Sequence, residues 1–267
     1  MNRFRTMFAE SGRRALVPFL MLGDPDPSGS LRIVDAAIAA GADALELGIP
    51  FSDPLADGPT IQRSAGRALA AGAGVDVCLD LVARIRERTE IPIGMLVYYN
   101  LIHRRGVADF CERVAAAGAD AVLAADLPLE ESGDLEEALE ANDLGSVQLV
   151  APNTPPERAV RLARRSTAFT YVVSSFGTTG ARGRLPVTLG ERLRALRAAC
   201  DSPLVVGFGI SRPEQVRSLH RDGADGVIVG SALIRLVERN PNDISRAARE
   251  VAELLRELRG KEAASSC

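Results

Sequence analysis

The chain is poor in the side chains that carry metal or covalent chemistry. It has one lysine, Lys261, in a polar C-terminal stretch. A Schiff base, to a carbonyl substrate or to pyridoxal phosphate, needs a lysine in a pocket, and Lys261 is a poor candidate. The two histidines, His103 and His220, stand far apart, so no histidine-rich metal site is available. Cys78, Cys111, Cys200 and Cys267 are widely spaced and make no metal-binding pair. Reduced thiols in a cytoplasmic chain are the simplest account of them. No apolar run is long enough to span a bilayer, and Met1-Asn2-Arg3-Phe4-Arg5 leads into no signal-type stretch. The net charge of −3 provides no basic field for nucleic acid or anionic membrane. Carboxylates and backbone dipoles remain as the groups able to do chemistry.

What is present is a regular alternation. The 267 residues are 46% hydrophobic and 25% charged, enough for one large core and too few for two domains with a long linker. Short runs rich in Val, Leu and Ile predict strands at Leu16–Leu22, Ala44–Ile49, Ile93–Tyr99, Ala121–Leu127, Val147–Ala151, Phe169–Ser174, Leu204–Phe208 and Gly226–Val229. Apolar residues three and four apart predict helices between them, at Leu31–Ala40, Val75–Arg88, Val107–Ala117, Leu135–Ala141, Pro156–Arg165, Leu189–Ala199, Pro213–Arg221 and Ile244–Leu258. Gly-Ala-Asp recurs at Gly41, Gly118 and Gly223, each time closing a helix and opening a strand. This pattern predicts a single (β/α)8 TIM-barrel domain over residues 1–267 with extra short helices, the last residues from about 260 forming a tail. An open doubly wound sheet is the runner-up, weakened by the lack of Gly-x-Gly-x-x-Gly after the first strand.

Two regions predict a site. The run Ala44-Leu45-Glu46-Leu47-Gly48 carries one carboxylate inside an apolar strand, and the loop Phe51–Pro59 adds Asp53 and Asp57 among prolines. A buried ionised carboxylate is costly unless paired. A half-exposed strand with Glu46 in water is the plain alternative, but the attached acidic, proline-stiffened loop favours a site. In a barrel, both lie on the face formed by the loops after the strands. The second region is a set of glycine turns: Gly177-Thr178-Thr179-Gly180 after the sixth strand, Gly207-Phe208-Gly209 at the seventh, and Gly230-Ser231 at the eighth, before a short helix at Ala232–Glu238. Glycine lets backbone N–H groups approach an anion, and a helix N-terminus adds unpaired donors. Together they predict a phosphate site.

With these residues in view, the chain resembles the α subunit family of tryptophan synthase over nearly its full length. The motifs are Leu22-Gly23-Asp24-Pro25, Leu45-Glu46-Leu47-Gly48 through Asp57-Gly58-Pro59-Thr60-Ile61-Gln62, Thr179-Gly180, Gly207-Phe208-Gly209-Ile210-Ser211 and Gly230-Ser231. The resemblance implies a lyase that cleaves indole-3-glycerol phosphate to indole and glyceraldehyde 3-phosphate, a step of tryptophan biosynthesis. It implies Glu46 as the general acid and base, and Asp57 as the anion beside the indole nitrogen. Phosphate contacts fall on Gly180, Gly209, Gly230 and Ser231. Phe19, Ile61, Tyr98, Tyr171 and Thr179 fall on pocket positions, with Thr179 within reach of Asp57 if the loop Ser175–Val187 closes. The implied partner is a pyridoxal-phosphate β subunit in an α2β2 heterotetramer, docking near Asp53, Pro54, Asn100 and Pro128. This chain itself would then hold neither cofactor nor metal. Met21 departs from the family, which often has a small polar residue there.

Overall fold

A computed structural model describes residues 2–10, 14–174 and 187–260 of the chain. Its eight strands are β1 (Ala15–Met21), β2 (Leu45–Gly48), β3 (Ile93–Val97), β4 (Ala121–Ala124), β5 (Gly145–Val150), β6 (Phe169–Val173), β7 (Leu204–Gly207) and β8 (Gly226–Val229). They pair in parallel in chain order, and β8 closes on β1 through Ala15↔Gly226 to Pro18↔Val229. The expected (β/α)8 barrel is therefore the observed fold. Its strands are buried on both faces, the barrel interior and the helix layer, which explains their continuous rather than alternating apolar character.

The Gly-Ala-Asp repeats fasten the N-terminal end of the barrel. Gly41, Gly118 and Gly223 adopt φ of +90°, +90° and +100°, a region that side chains disfavour. The aspartate that follows each one then caps the start of a neighbouring strand. Asp43 accepts the Leu16 N–H at 2.8 Å, Asp120 the Ile93 N–H at 2.8 Å, and Asp225 the Leu204 N–H at 2.7 Å. Each carboxylate is also held by an arginine: Arg259, Arg86 and Arg197 respectively. The buried charges of Asp43 and Asp120 are thereby paired, and three strand starts are fixed in register.

Four local differences from the sequence reading have identifiable causes. The helix Arg3–Ala9 was not expected; Asn2 caps it, and Phe4 packs under the barrel against Phe169 with ring centroids 5.2 Å apart. Helix Pro59–Ala70 was also not expected, because Gly66 and a polar run blur its periodicity. β3 stops at Val97 rather than Tyr99, because a helix over Tyr99–His103 begins there and Asp126 accepts the Tyr99 N–H at 2.7 Å. β4 stops at Ala124 rather than Leu127, and the chain turns toward Pro128. The 261–267 tail lies outside the described residues.

Candidate active site

β2 presents Glu46 to the inside of the barrel, in register with Phe19 of β1 and Gly94 of β3. Leu45 and Leu47 take the opposite face, as strand alternation requires. Glu46 is 4% exposed, and its Oε2 has no hydrogen-bond partner among the described residues. The solvent-facing alternative for Glu46 is thus excluded. Burial first, and then the nearby charge of Asp57, push its pKa up to about 8. Glycine at position 48 matters here: a Cβ would come 2.8 Å from Phe19 Cζ, so only glycine lets that ring form the wall beside Glu46.

The loop after β2 carries Asp57 over the barrel mouth. It folds back on itself, with the Asp57 N–H bonded to Pro54 O at 3.1 Å. Gln62 Nε2 donates to Asp57 O at 2.9 Å, tying the loop to the Pro59–Ala70 helix. Tyr98 supports it from behind: its hydroxyl accepts the Ala56 N–H at 3.0 Å, and its ring stacks on Phe51 at 5.1 Å. Burial raises the Asp57 pKa to about 6, against a lowering contribution from its hydrogen bond with Tyr98.

Between the two acids and the glycine turns lies a cavity of about 340 Å³. Phe19, Ile61, Leu96, Leu149, Val173 and Ile228 supply apolar wall. Glu46, Asp57, Tyr171, Gly209, Gly230 and Ser231 also line it. Tyr171 is 4% exposed, and burial holds its phenol well above its usual range. Its ring leaves no room at position 207, where a Cβ would come 2.0 Å from Tyr171 Oη.

The glycine end of the cavity has unusual backbone. Phe208 and Gly209 adopt φ of +74° and +78°, and Phe208 is a non-glycine residue held in a strained region. The buried side chain of Gln215 stabilises that turn. It accepts the Ser211 and Arg212 N–H groups at 2.9 and 3.1 Å, and donates to Gly209 O at 3.4 Å. Gly230 caps the helix Ser231–Arg239 without a side-chain hydrogen bond, one residue longer at each end than the sequence suggested. First-turn N–H groups of such a helix are available to an anion.

The sequence-predicted residues therefore divide as follows. Phe19, Glu46, Asp57, Ile61, Tyr171, Gly209, Gly230 and Ser231 line one cavity. Tyr98 stands behind the Asp57 loop instead. Thr179 and Gly180, with the loop 175–186, lie outside the described residues. Asp53, Asn100 and Pro128 are exposed and Pro54 half-buried, all in segments that follow strands at the C-terminal end of the barrel. Sequence reasoning missed Leu96, Leu149, Val173 and Ile228, whose signal was only strand alternation, and Gln215, which had none. Among the described residues no cluster of His, Cys, Asp or Glu could hold a metal ion, and no helix is long and apolar enough to cross a membrane.

The fold and this cavity define a (β/α)8 barrel with two perturbed carboxylates at the C-terminal ends of its strands. Residues 5–264 match the family model for the tryptophan synthase alpha chain. The tryptophan synthase alpha chain of Methanothermobacter thermautotrophicus is 47% identical over 251 residues, covering 94% of this chain and 93% of the relative. That of Cronobacter sakazakii is 41% identical, covering 97% and 98%. Among solved structures, tryptophan synthase subunit alpha from Legionella pneumophila superposes with a TM-score of 0.88 at 33% identity, covering 97% of each chain. A chain from work on the Pyrococcus furiosus tryptophan synthase a2b2 complex gives 0.87 at 40% identity, covering 92% of this chain and 98% of its own. The chain belongs to the tryptophan synthase alpha chain family.

Proposed function

We propose that this chain cleaves indole-3-glycerol phosphate by a retro-aldol reaction, giving indole and glyceraldehyde 3-phosphate, and so acts as a carbon–carbon lyase. The observation that carries this reading is the orphaned, buried carboxyl of Glu46, facing an apolar cavity that also contains Asp57 and two glycine turns. A group with a pKa near 8 is protonated at neutral pH and can deliver a proton. Glu46 protonates the indole ring carbon that bears the side chain, and positive charge develops on the ring nitrogen. Asp57, more acidic than Glu46, is ionised at neutral pH and accepts the N–H of that cation. Glu46, now a carboxylate, removes the proton of the adjacent side-chain hydroxyl. The carbon–carbon bond breaks, its electron pair restores the indole ring, the hydroxyl carbon becomes the aldehyde, and Glu46 is again protonated.

Phe19, Ile61 and Tyr171 enclose the indole, while Gly209, Gly230 and Ser231, with Gly180, bind the phosphate through backbone donors and the Ser231 hydroxyl. Tyr98 holds Asp57; Thr179, the remaining pocket candidate, lies outside the described residues. The chemistry needs no cofactor in this chain. The Pyrococcus furiosus relative belongs to an a2b2 complex. By that likeness, this chain pairs with a β subunit that carries pyridoxal phosphate and consumes indole, docking on the segments of Asp53, Pro54, Asn100 and Pro128. Free thiols at Cys78, Cys111 and Cys200 suit a cytoplasmic setting. The test is indole release from indole-3-glycerol phosphate, with and without β subunit; absence of release in both cases overturns the reading.

A further inference from the structure

The two ends of the cavity are built on two helices, and an ionic network joins those helices. Helix Pro59–Ala70 starts directly after Asp57 and Gly58, and contributes Thr60 and Ile61 to the cavity wall. Helix Ser231–Arg239 starts at the glycine turn, and contributes Ser231. The first helix turns Arg63, Ser64 and Arg67 to one side. Arg67 grips the carboxylate of Asp24, in the loop after β1, with Nε and Nη2 at 2.7 and 2.6 Å. Ser64 donates to the same carboxylate. Arg67 Nη1 also lies 3.5 Å from Glu238 Oε1, on the second helix. Arg63 binds Glu238 through both oxygens, at 2.5 and 3.0 Å.

Burial separates the members of this network. Asp24 is buried, so its pairing with Arg67 is a requirement of folding. Glu238 and Arg63 have no such requirement, with side chains 29% and 54% exposed. A bidentate arginine–carboxylate pair fixes orientation more than it adds stability. Arg67 touches both the buried anchor and the second helix. Loop, first helix and second helix are thereby referenced to one guanidinium.

We propose that Arg67, acting with Arg63 and Glu238, is a positioning clamp that sets the distance between the Asp57 end and the Ser231 end of the cavity. The clamp selects ligands whose ring and phosphate stand at that distance. This inference rests on the function proposed above, because it takes one end as the ring site and the other as the phosphate site. Linking two groups in one molecule strengthens binding only when both sites are held at the matching spacing.

That dependence supplies the test, by calorimetric titration of the full chain with two probes. One probe is glycerol 3-phosphate, which uses the phosphate end alone. The other is an indole joined to phosphate through a three-carbon chain, which needs both ends. Arg67→Leu is unsuitable, since it strands the buried Asp24 carboxylate. Glu238→Ala releases the second helix and leaves Asp24 paired. We expect glycerol 3-phosphate affinity within about twofold of wild type and the joined probe weakened about fivefold, the scale of a part-exposed ion pair. Glu238→Asp keeps a carboxylate facing both Arg63 and Arg67 and should recover most of that loss. Equal loss of both probes, loss of neither, or no recovery in Glu238→Asp overturns the clamp. If wild type binds neither probe, the functional reading fails and the clamp with it; if wild type binds both and the variant does not separate them, the clamp alone fails.

Discussion

The Tyr98 hydroxyl accepts the Ala56 N–H at 3.0 Å, one residue before Asp57, and so holds the acidic loop against the barrel. The same hydroxyl hydrogen-bonds the Asp57 carboxyl and favours its ionised form. Tyr98→Phe keeps the ring and its stacking on Phe51 but loses both bonds. We expect the fold to survive, cleavage to fall roughly tenfold, as for loss of a group that orients a catalytic one, and the Asp57 pKa to move up. A pH profile of kcat/KM with an unmoved acidic limb would rule this role out.

Glu46→Gln separates chemistry from folding. Cleavage should drop by at least about 100-fold, the low end for loss of a general acid–base group. Stability should move the other way. The folded-state pKa, about 8, lies above the ordinary 4.5, so the folded protein holds its proton more tightly than the unfolded chain. Wild-type stability is then eroded as pH rises from about 4.5 to about 8, because over that range the unfolded chain releases this proton while the folded protein still holds it. Glu46→Gln should flatten this part of the curve. Melting temperatures measured across that range, for both proteins, check the sign.

The pair also predicts the shape of the rate profile. Activity needs Asp57 ionised, above about 6, and Glu46 protonated, below about 8. A bell is expected for kcat/KM, with apparent values that belong to the coupled pair rather than to either acid alone. Asp57→Asn should remove the acidic limb and, by deleting the neighbouring charge, shift the basic limb down.

At the other end of the cavity, Gly230→Val is the informative change. Its Cβ would stand 3.3 Å from Phe19 Cβ and Cδ1, tighter than ordinary contact, and its branches would crowd the helix N-terminus. Affinity for glycerol 3-phosphate should fall at least tenfold, roughly the worth of one charge-assisted hydrogen bond, with a smaller effect on the melting temperature of the free chain. Unchanged affinity would remove Gly230 from the phosphate site.

The barrel was legible because each strand is a short run of Val, Leu and Ile between amphipathic helices, and the three Gly-Ala-Asp turns kept the register. Glu46 was legible because a carboxylate interrupts such a run. Tyr98 was harder to read. Its partner lies 42 residues away, and no local pattern reports that contact. Gln215 likewise lies in an ordinary helix sequence, and its role depends on the fold of a turn four to six residues earlier. Helix Pro59–Ala70 escaped because its buried face mixes polar Thr60 and Ser64 with Ala65 and Ala68, so its periodicity is blurred.

The segment that carries Asp57 also carries the most exposed large apolar side chain of the described residues, Leu55, at 94%. Asp53 is exposed beside it, and Asn100 and Pro128 extend the same end of the barrel. A side chain of that size in water two residues from a proposed catalytic acid fits a docking surface that is covered when the β subunit binds. Covering it would restrict the loop that positions Asp57, so the partner should raise the cleavage rate by favouring one arrangement of that loop. Asp53→Ala and Leu55→Asp should each weaken the response to added β subunit, Leu55→Asp by about tenfold or more, since burying a charge in place of an apolar anchor costs more than losing a rim contact. Neither should change the basal rate of the lone chain by more than about twofold, because surface substitutions of this kind perturb stability little. The measurement is indole production titrated with β subunit for wild type and both variants. Full activity of the chain alone, with no response to any cognate β subunit, would show instead an enzyme that releases indole without a partner.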